Sequence, residues 1–444
     1  MKKYPKKTIG ELCHIQKGET GIVSATPGEY PLVTTGKERK TSATYQFDTQ
    51  AVCIPLVSSS GHGKKSLNYV HYQEGKFALG TILAAIIPKN NTDISAAFLH
   101  QYLLFYKNIK IVPLMRGAAN VSLAVKDIAK IEVPIPPINE QKDFIFLFNK
   151  LKKFNDLLIQ EFDSQEKYIS QLKQAILQEA IAGKLTAEWR DRNPMQKGDP
   201  DTDAASLLAK IKAEKQQAIA DGKLKQEKPL PKISPDEIPF SLPDSWVWTN
   251  FGNVIMDIEA GKSPDSLSHP AQLEKWGVIK ISAISWDVFL QNENKQLKPN
   301  VPPFKDKEIK KDDFIMTRAN TSELVAKSVI VGDVRQRLLL NDKTLRVRFP
   351  EFLLKKYFNY FNNASFARSY YASVAKGSSP SMKNVTRDNI KNLLIPLPPL
   401  AEQKAIVEKV DYLIKIIDQL EEQIKHRKQL AEDLMQTVLR EAFE

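Results

Sequence analysis

The sequence predicts an α+β protein: two mixed α/β arms joined by two long helices that pair with each other. Three observations carry this. The stretch V-P-I-P-P-I-N-E-Q-K at 133–142 returns 262 residues later as I-P-L-P-P-L-A-E-Q-K at 395–404. Each copy opens a helical pattern, and the copies stay in register to L-Q-E-A-I at 177–181 and L-R-E-A-F at 439–443. Ahead of each copy lies a stretch of unlike sequence rich in short, β-leaning apolar runs. An internal repeat of this kind fixes the architecture before any local detail.

Arm one covers 1–137. A-V-C-I-P-L-V at 51–57 and T-I-L-A-A-I-I at 81–87 are strand-like runs bounded by Gly, Ser, Pro and Asn. A-A-F-L-H-Q-Y-L-L-F-Y at 96–106 has helical spacing. The first long helix covers 138–182. Its proline run forces extended backbone and then stops. Asn139 is placed to cap the helix, and Glu140 falls in the first turn, where the helix dipole favours a carboxylate.

The linker 183–242 is rich in Lys, Asp, Gln and Pro. It predicts one short helix at 203–220, with the remainder extended and exposed. Arm two, 243–399, repeats the texture of arm one. V-I-K-I-S-A-I at 278–284 and K-S-V-I-V-G at 327–332 read as strands, and E-F-L-L-K-K-Y-F-N-Y-F at 351–361 as an amphipathic helix. Weaker matches extend the duplication: I-Q-K-G at 15–18 with I-E-A-G at 258–261, and Arg116-Gly117 with Lys376-Gly377.

The second long helix covers 400–444. Its apolar residues Ile406, Val410, Leu413, Ile417, Leu420, Ile424, Ala431, Leu434 and Val438 recur mostly at alternating steps of four and three, a coiled-coil seam. The same positions of the first copy hold Phe144, Phe148, Leu151, Asn155, Leu158, Phe162, Ile169, Leu172 and Ile176. Gln165 and Arg427 share one seam position. They either set the register or edge the seam. A helix of this length cannot bury such a stripe alone, and the simplest partner is its own copy. Periodicity leaves parallel and antiparallel pairing open.

Composition narrows the function. The net charge is +12. It sits on the arms: 1–137 carries 17 basic and 9 acidic residues, and 243–399 carries 23 and 16. The stretch 138–242 is balanced at 17 each, and 400–444 is acidic, with 7 and 10. Basic arms on neutral or acidic helices fit nucleic acid on the arms and protein on the helices. No apolar run approaches a membrane span, no apolar segment follows the basic N-terminus, and Cys13 and Cys53 make no framework, so a cytoplasmic protein is expected.

Catalytic signatures are missing. There is no G-x-x-x-x-G-K-[ST] loop, no [DNS]-P-P-[YF] tetrapeptide of the amino-methyltransferase type and no Gly-rich turn in a Rossmann context. His62, in S-S-S-G-H-G-K-K at 58–65, is the only histidine in a notable loop, and a lone histidine there is a polar contact before it is a catalyst. The chain reads as a binder.

The layout, with P-[IL]-P-P-[IL]-x-E-Q in duplicate, resembles the specificity subunit of type I restriction–modification enzymes along nearly the whole chain. L-K-Q-A-I-L-Q-E-A-I-A-G-K-L-T at 172–186 is similar to that family's central region. The resemblance implies that the arms are target recognition domains, each reading one half of a split double-stranded DNA site. It implies an antiparallel, pseudo-twofold coiled coil of the two helices within the chain, holding the half-sites apart and docking two methyltransferase subunits. Two restriction and translocation subunits would join where the system has them. It further implies that this chain is not catalytic and binds no cofactor or metal, with S-adenosylmethionine, ATP and magnesium on partner subunits. The rivals are a fused methyltransferase or nuclease, and a coiled-coil adaptor with protein-binding arms.

DNA readers are expected in polar loops of the arms. In arm one these are Lys37, Arg39, Lys40, Ser59, Ser60, His62, Lys64, Lys65, Arg116 and Asn120. In arm two they are Arg318, Asn320, Arg335, Arg337, Lys376, Ser378, Ser379, Lys383 and Asn384.

Overall fold

The structure is a computed structural model that describes residues 4–60, 63–284, 288–377, 379 and 382–443. The chain forms two compact units, residues 1–164 with 424–444, and residues 165–423.

Arm one begins with β1 (Lys6–Thr8), α1 (Ile9–Leu12) and β2 (Cys13–Lys17). Strands β3 (Tyr30–Val33), β4 (Lys40–Ser42), β5 (Phe47–Asp48), β6 (Ala51–Pro55), β7 (His71–Gln73), β8 (Lys76–Leu79) and β9 (Leu83–Pro88) follow. Helices α2 (Ala96–Phe105) and α3 (Val125–Ile128) and strand β10 (Glu132–Pro134) complete it. One antiparallel sheet has the order β2-β9-β6-β7, a second the order β4-β3-β8-β5 with β3 parallel to β8, and β1 pairs with β10. β6 is buried on both faces, as its continuous apolar run requires. Phe98, Leu99, Tyr102 and Leu103 of α2 join the same core as Val52, Ile54 and Ile86.

Between the arms lie α4 (Ile138–Ile181), α5 (Ala187–Arg192) and α6 (Ala204–Ala220). Arm two then runs β11 (Val247–Asn250), α7 (Phe251–Val254), β12 (Asp257–Ala260), β13 (Gly277–Ile279), β14 (Asn294–Gln296), β15 (Phe314–Thr317), β16 (Ala319–Asn320), β17 (Ser328–Ile330), β18 (Leu338–Leu339) and β19 (Thr344–Arg348). It ends with α8 (Lys355–Asn363), α9 (Ser365–Val374), β20 (Lys383–Asn384), α10 (Arg387–Asn392) and β21 (Leu394–Leu397), leading into α11 (Leu400–Phe443).

The topology of arm one returns in arm two. One antiparallel sheet has the order β12-β19-β15-β17, another the order β14-β13-β18 with β13 parallel to β18, and β11 pairs with β21. The weak repeat of I-Q-K-G and I-E-A-G now has a cause. A Cβ on Gly18 would lie 2.3 Å from the Gly80 carbonyl, and one on Gly261 would lie 2.2 Å from the Asn341 carbonyl. Both glycines let β2 or β12 leave its sheet against the turn that precedes β9 or β19.

The duplicated proline motif is a hydrogen-bonded corner. Gln141 and Gln403 are fully buried. Gln141 Nε2 donates to the Pro136 carbonyl at 2.8 Å, and Gln403 Nε2 to the Pro398 carbonyl at 3.0 Å. Gln141 also donates to the Asp93 carbonyl and accepts from the Ser95 amide, so the corner is tied to arm one through main-chain atoms. Glu140 accepts from the Tyr4 hydroxyl at 2.8 Å. Glu402 is buried and accepts from Trp246 Nε1 at 2.6 Å, Thr186 Oγ1 at 2.7 Å and the Arg190 guanidinium.

Three expectations are corrected. Helix α4 starts at Ile138, so Asn139 stands inside its first turn and is not its cap. The linker is only partly extended. It holds a second helix, α5, and Ala204, Leu207 and Ile211 of α6 are buried. The Pro200 and Asp201 carbonyls accept from the Leu400 and Ala401 amides, satisfying donors that a helix start leaves open. Within 278–284 only Val278 and Ile279 belong to a strand, β13, and Ile281–Ala283 is a 3₁₀ turn.

Both long helices contribute to each unit. In the first, Phe443 packs on Phe98, Tyr102 and Phe144, and Lys428 Nζ pairs with Asp163 at 2.6 Å. In the second, Lys173 Nζ lies 2.9 Å from Asp418 and 2.8 Å from Glu421. Inside the first unit these contacts ascend along α4 while descending along α11, so the two segments run in opposite senses there. The apolar seam is half-covered. Phe148, Phe162, Ile169 and Ile176 of α4 and Val410, Ile417 and Ile424 of α11 are buried, seven residues apart save for the gap at Asn155. The alternate row is partly open: Leu158, Leu172, Leu420 and Leu434 are each about half exposed, whereas Leu151 and Leu413 are partly buried. Arg427 is exposed, at the edge of the seam.

Candidate nucleic-acid interface

Strand register defines a common edge in each arm. In arm one Lys17 pairs with Ala84 and Pro55 with Leu83. The ends of β2 and β6 and the start of β9 therefore share one edge. In arm two Ala260 pairs with Leu345 and Thr317 with Thr344, which brings the ends of β12 and β15 to the start of β19.

At the edge of arm one the loop after β6 meets a hairpin. Arg116 and Ser122 exchange two backbone hydrogen bonds of 2.8 Å. The Ser58 amide donates to the Val121 carbonyl, the Gly63 amide to the Ala119 carbonyl and the Leu123 amide to the Leu56 carbonyl. Two predicted clusters, Ser58–Lys65 and Arg116 with Asn120, thus become one surface. The serines hold its shape. Ser58 Oγ donates to the Lys64 carbonyl at 2.6 Å, Ser60 Oγ bonds Ser66 Oγ at 2.6 Å, and Ser59 Oγ accepts from the Asn68 amide. Lys64, Lys65, Arg116 and Asn120 present their side chains outward. Arg116 forms a long ion pair of 3.6 Å with the buried Asp127.

Arm two builds the same junction from other residues. Lys376 and Asn384 exchange backbone hydrogen bonds of 2.9 and 2.8 Å. Ala319 pairs with Asn384 and Asn320 with Lys383, and the Val385 amide donates to the Arg318 carbonyl. Arg318, Lys376, Ser379 and Asn384 are exposed. Lys383 Nζ turns back to the Gly377 carbonyl at 2.7 Å, and Asn320 Oδ1 accepts from the Thr321 amide. His62 and Ser378 lie outside the described residues.

The third predicted cluster of each arm has inward partners. Arg39 donates to Gln73 Oε1 at 3.0 Å and to the Tyr72 carbonyl at 3.2 Å, and lies 3.2 Å from His71 Nδ1. Burial, the Arg39 charge and His100 push the His71 pKa down to about 4, so neutral His71 accepts that proton. Lys40 Nζ donates to the Ile22 carbonyl at 3.3 Å, while Lys37 is exposed. In arm two Arg335 donates to the Gln272 and Leu273 carbonyls at 2.8 and 2.9 Å, and Arg337 pairs with Glu274 at 2.8 Å. Arg335 and Arg337 lie just before β18.

Topology also adds cations that no motif marks. Lys17 ends β2 at the edge of arm one and is exposed, and Lys262 and Lys343 flank Arg318 at the edge of arm two. Only the strand register reveals them.

A duplicated α/β frame with two unlike polar edges defines a two-headed binding protein. Among the described residues no group of three or more His, Cys, Asp or Glu gathers as a metal site, and no helix is long and apolar enough to cross a membrane. The family model of the type I restriction modification DNA specificity domain matches residues 1–174 and 254–427, and the chain belongs to that family. It is 33% identical over 267 residues to the EcoEI type I restriction enzyme specificity subunit of Escherichia coli, across 60% of this chain and 43% of that protein. It is 28% identical over 357 residues to the EcoAI specificity subunit of Escherichia coli, across 67% and 55%. The chain spans about half the length of these relatives. A solved structure described as the basis of complex assembly and conformational transition of the type I R-M system shares the fold, with a TM-score of 0.55 at 15% identity over 100% of this chain and 99% of that one.

Proposed function

We propose that this chain is the DNA sequence-specificity subunit of a type I restriction–modification complex, each arm reading one half of a bipartite, asymmetric site. The observation that carries the reading is the repeated edge: one junction of loop and hairpin, built twice on one topology, with Lys64, Lys65 and Asn120 in one arm and Arg318 and Asn384 in the other. The same frame with different side chains is what two different half-sites require. Membership of the DNA specificity family supports it.

The two long helices pair antiparallel within the chain as a pseudo-twofold coiled coil that sets the distance between half-sites. They also dock two methyltransferase subunits. The open apolar row supports this second role, because it is itself duplicated. Phe154, Leu158, Tyr168 and Leu172 of α4 stand 262 residues before Ile416, Leu420, Leu430 and Leu434 of α11, and all eight are 39–65% exposed. An exposed row of this kind marks a protein contact, and two equivalent rows fit two copies of one partner. The chain itself is not catalytic. S-adenosylmethionine, ATP and magnesium belong to the partner subunits, restriction subunits complete the complex where present, and the assembly works in the cytoplasm.

Methylation mapping in a host lacking and then carrying the system tests the reading. Two unlike half-sites separated by a fixed spacer are expected, and a single continuous palindromic target would refute it.

A further inference from the structure

Two arms of one topology in one chain give an internal comparison. What stays the same at the reading edge serves what every DNA duplex offers, and what differs serves the half-site. Arg116 and Lys376 stay the same. Each opens the edge hairpin and is pinned by two backbone hydrogen bonds to the residue that closes it. Each is followed by a glycine in the left-handed region, Gly117 at φ 126° and Gly377 at φ 148°. A Cβ on Gly117 would lie 2.2 Å from the Asn120 carbonyl, and one on Gly377 would lie 2.4 Å from the Met382 carbonyl. Each hairpin then leads into a short helix, α3 or α10. Both side chains are exposed cations. Beside them the arms diverge: Ser59, Ser60 and Lys64 follow β6, whereas Arg318 and Asn320 follow β15.

We infer that Arg116 and Lys376 make one and the same contact, an ion pair to a DNA backbone phosphate that is independent of base sequence, while divergent neighbours such as Asn120 and Arg318 read bases. This rests on the DNA-reading function proposed above. A cation pinned by two backbone hydrogen bonds positions the arm on the duplex, and phosphate contacts carry no sequence information. The two contacts differ in one respect. Arg116 is held by Asp127 until DNA displaces it, whereas the corresponding residue of arm two is the uncharged Asn389. Removing Lys376 therefore weakens binding more than removing Arg116.

The test uses the full chain assembled with its methyltransferase subunits and two duplexes, one carrying the mapped target and one of scrambled sequence. Each of R116A and K376A is expected to weaken the target and the scrambled duplex alike, K376A by the larger factor. Each should lower the slope of log affinity against log salt by about 0.9, so that the loss between about 50 and 200 mM salt shrinks about 3.5-fold. N120A and R318A should weaken the target alone. The charge-preserving variants R116K and K376R should restore the slope, which separates lost charge from lost folding. Selective weakening of the target by R116A or K376A, or an unchanged slope in both, overturns the phosphate assignment. A wild-type assembly that binds both duplexes equally overturns the DNA-reading function instead.

Discussion

Arm one and arm two share the strand order of their four-stranded antiparallel sheet, a parallel strand pair and the edge hairpin, yet they build different ionic interiors. In arm one Arg39 ties β7 to the loop before β4 and leans on a neutral histidine. In arm two Arg346, largely buried, gathers Glu259 and Asp313, with Lys307 and Arg348 on the same glutamate. The frame is the part that repeats, and the ionic interior is particular to each arm. The joints differ too. Glu402 is enclosed by Trp246, Thr186 and Arg190, whereas Glu140 is only partly buried.

The largest effect is expected where the arms are most alike. The first unit carries Leu158 and Leu434, and the second carries Leu172 and Leu420. The double variant L158E/L434E should leave one methyltransferase bound in place of two, and L172E/L420E should do the same. Native mass spectrometry reads the stoichiometry, and two partners retained in both variants would remove the helices as the docking surface. Next come the joints. E402A strips a buried acceptor from Trp246 and Arg190 and should cost about 3–5 kcal/mol. E140A should cost about 1 kcal/mol. Urea melts giving equal losses would show that the two joints are mechanically alike.

Smaller effects probe the shared edge. G18A and G261A force a methyl group against a carbonyl in each arm, and each should destabilise by about 1–3 kcal/mol. A loss confined to one arm would break the correspondence between the turns at Gly80 and Asn341. The arms also differ in their acid response. Burial first, then Arg39 and His100, lowers the His71 pKa from 6.5 to about 4, so the unfolded chain binds a proton that the folded arm refuses. Stability of arm one therefore falls as pH drops from 6.5 to about 4. Glu259 behaves otherwise. Burial opposes its charge, but hydrogen bonds from Lys307 and Arg348, with the charges of Arg346 and Lys307, hold its carboxyl below the ordinary 4.5. Its contribution is complete above 4.5 and is lost as pH falls below it. H71Q should flatten the first window and E259Q the second, followed by intrinsic fluorescence of the tryptophans, which all lie after residue 188, against hydrogen exchange in arm one.

The sequence made the repeat legible because the proline corner is local: Pro136, Pro137 and Gln141 sit within one turn of each other, and so do Pro398, Pro399 and Gln403. The proposed reading edge is not local. Lys17 reaches it through a pairing with Ala84, and the Arg318 carbonyl meets the Val385 amide across more than sixty residues. Charge alone therefore grouped Arg39 and Arg335 with the candidate readers, and the structure adds that they donate to carbonyls inside their own arms. The seam was legible as a stripe, but a period cannot say how wide a strip one neighbouring helix covers, and half of it remained open.

The corner glutamine has a consequence for how a head is attached. Gln141 meets the carbonyls of Asp93 and Pro136 and the amide of Ser95, atoms that every residue but proline supplies in full. This glutamine thus asks nothing of the arm's side chains, whereas Glu140 beside it takes the Tyr4 hydroxyl. A different head would keep this contact through its main chain alone, but it would have to bring its own hydroxyl to Glu140.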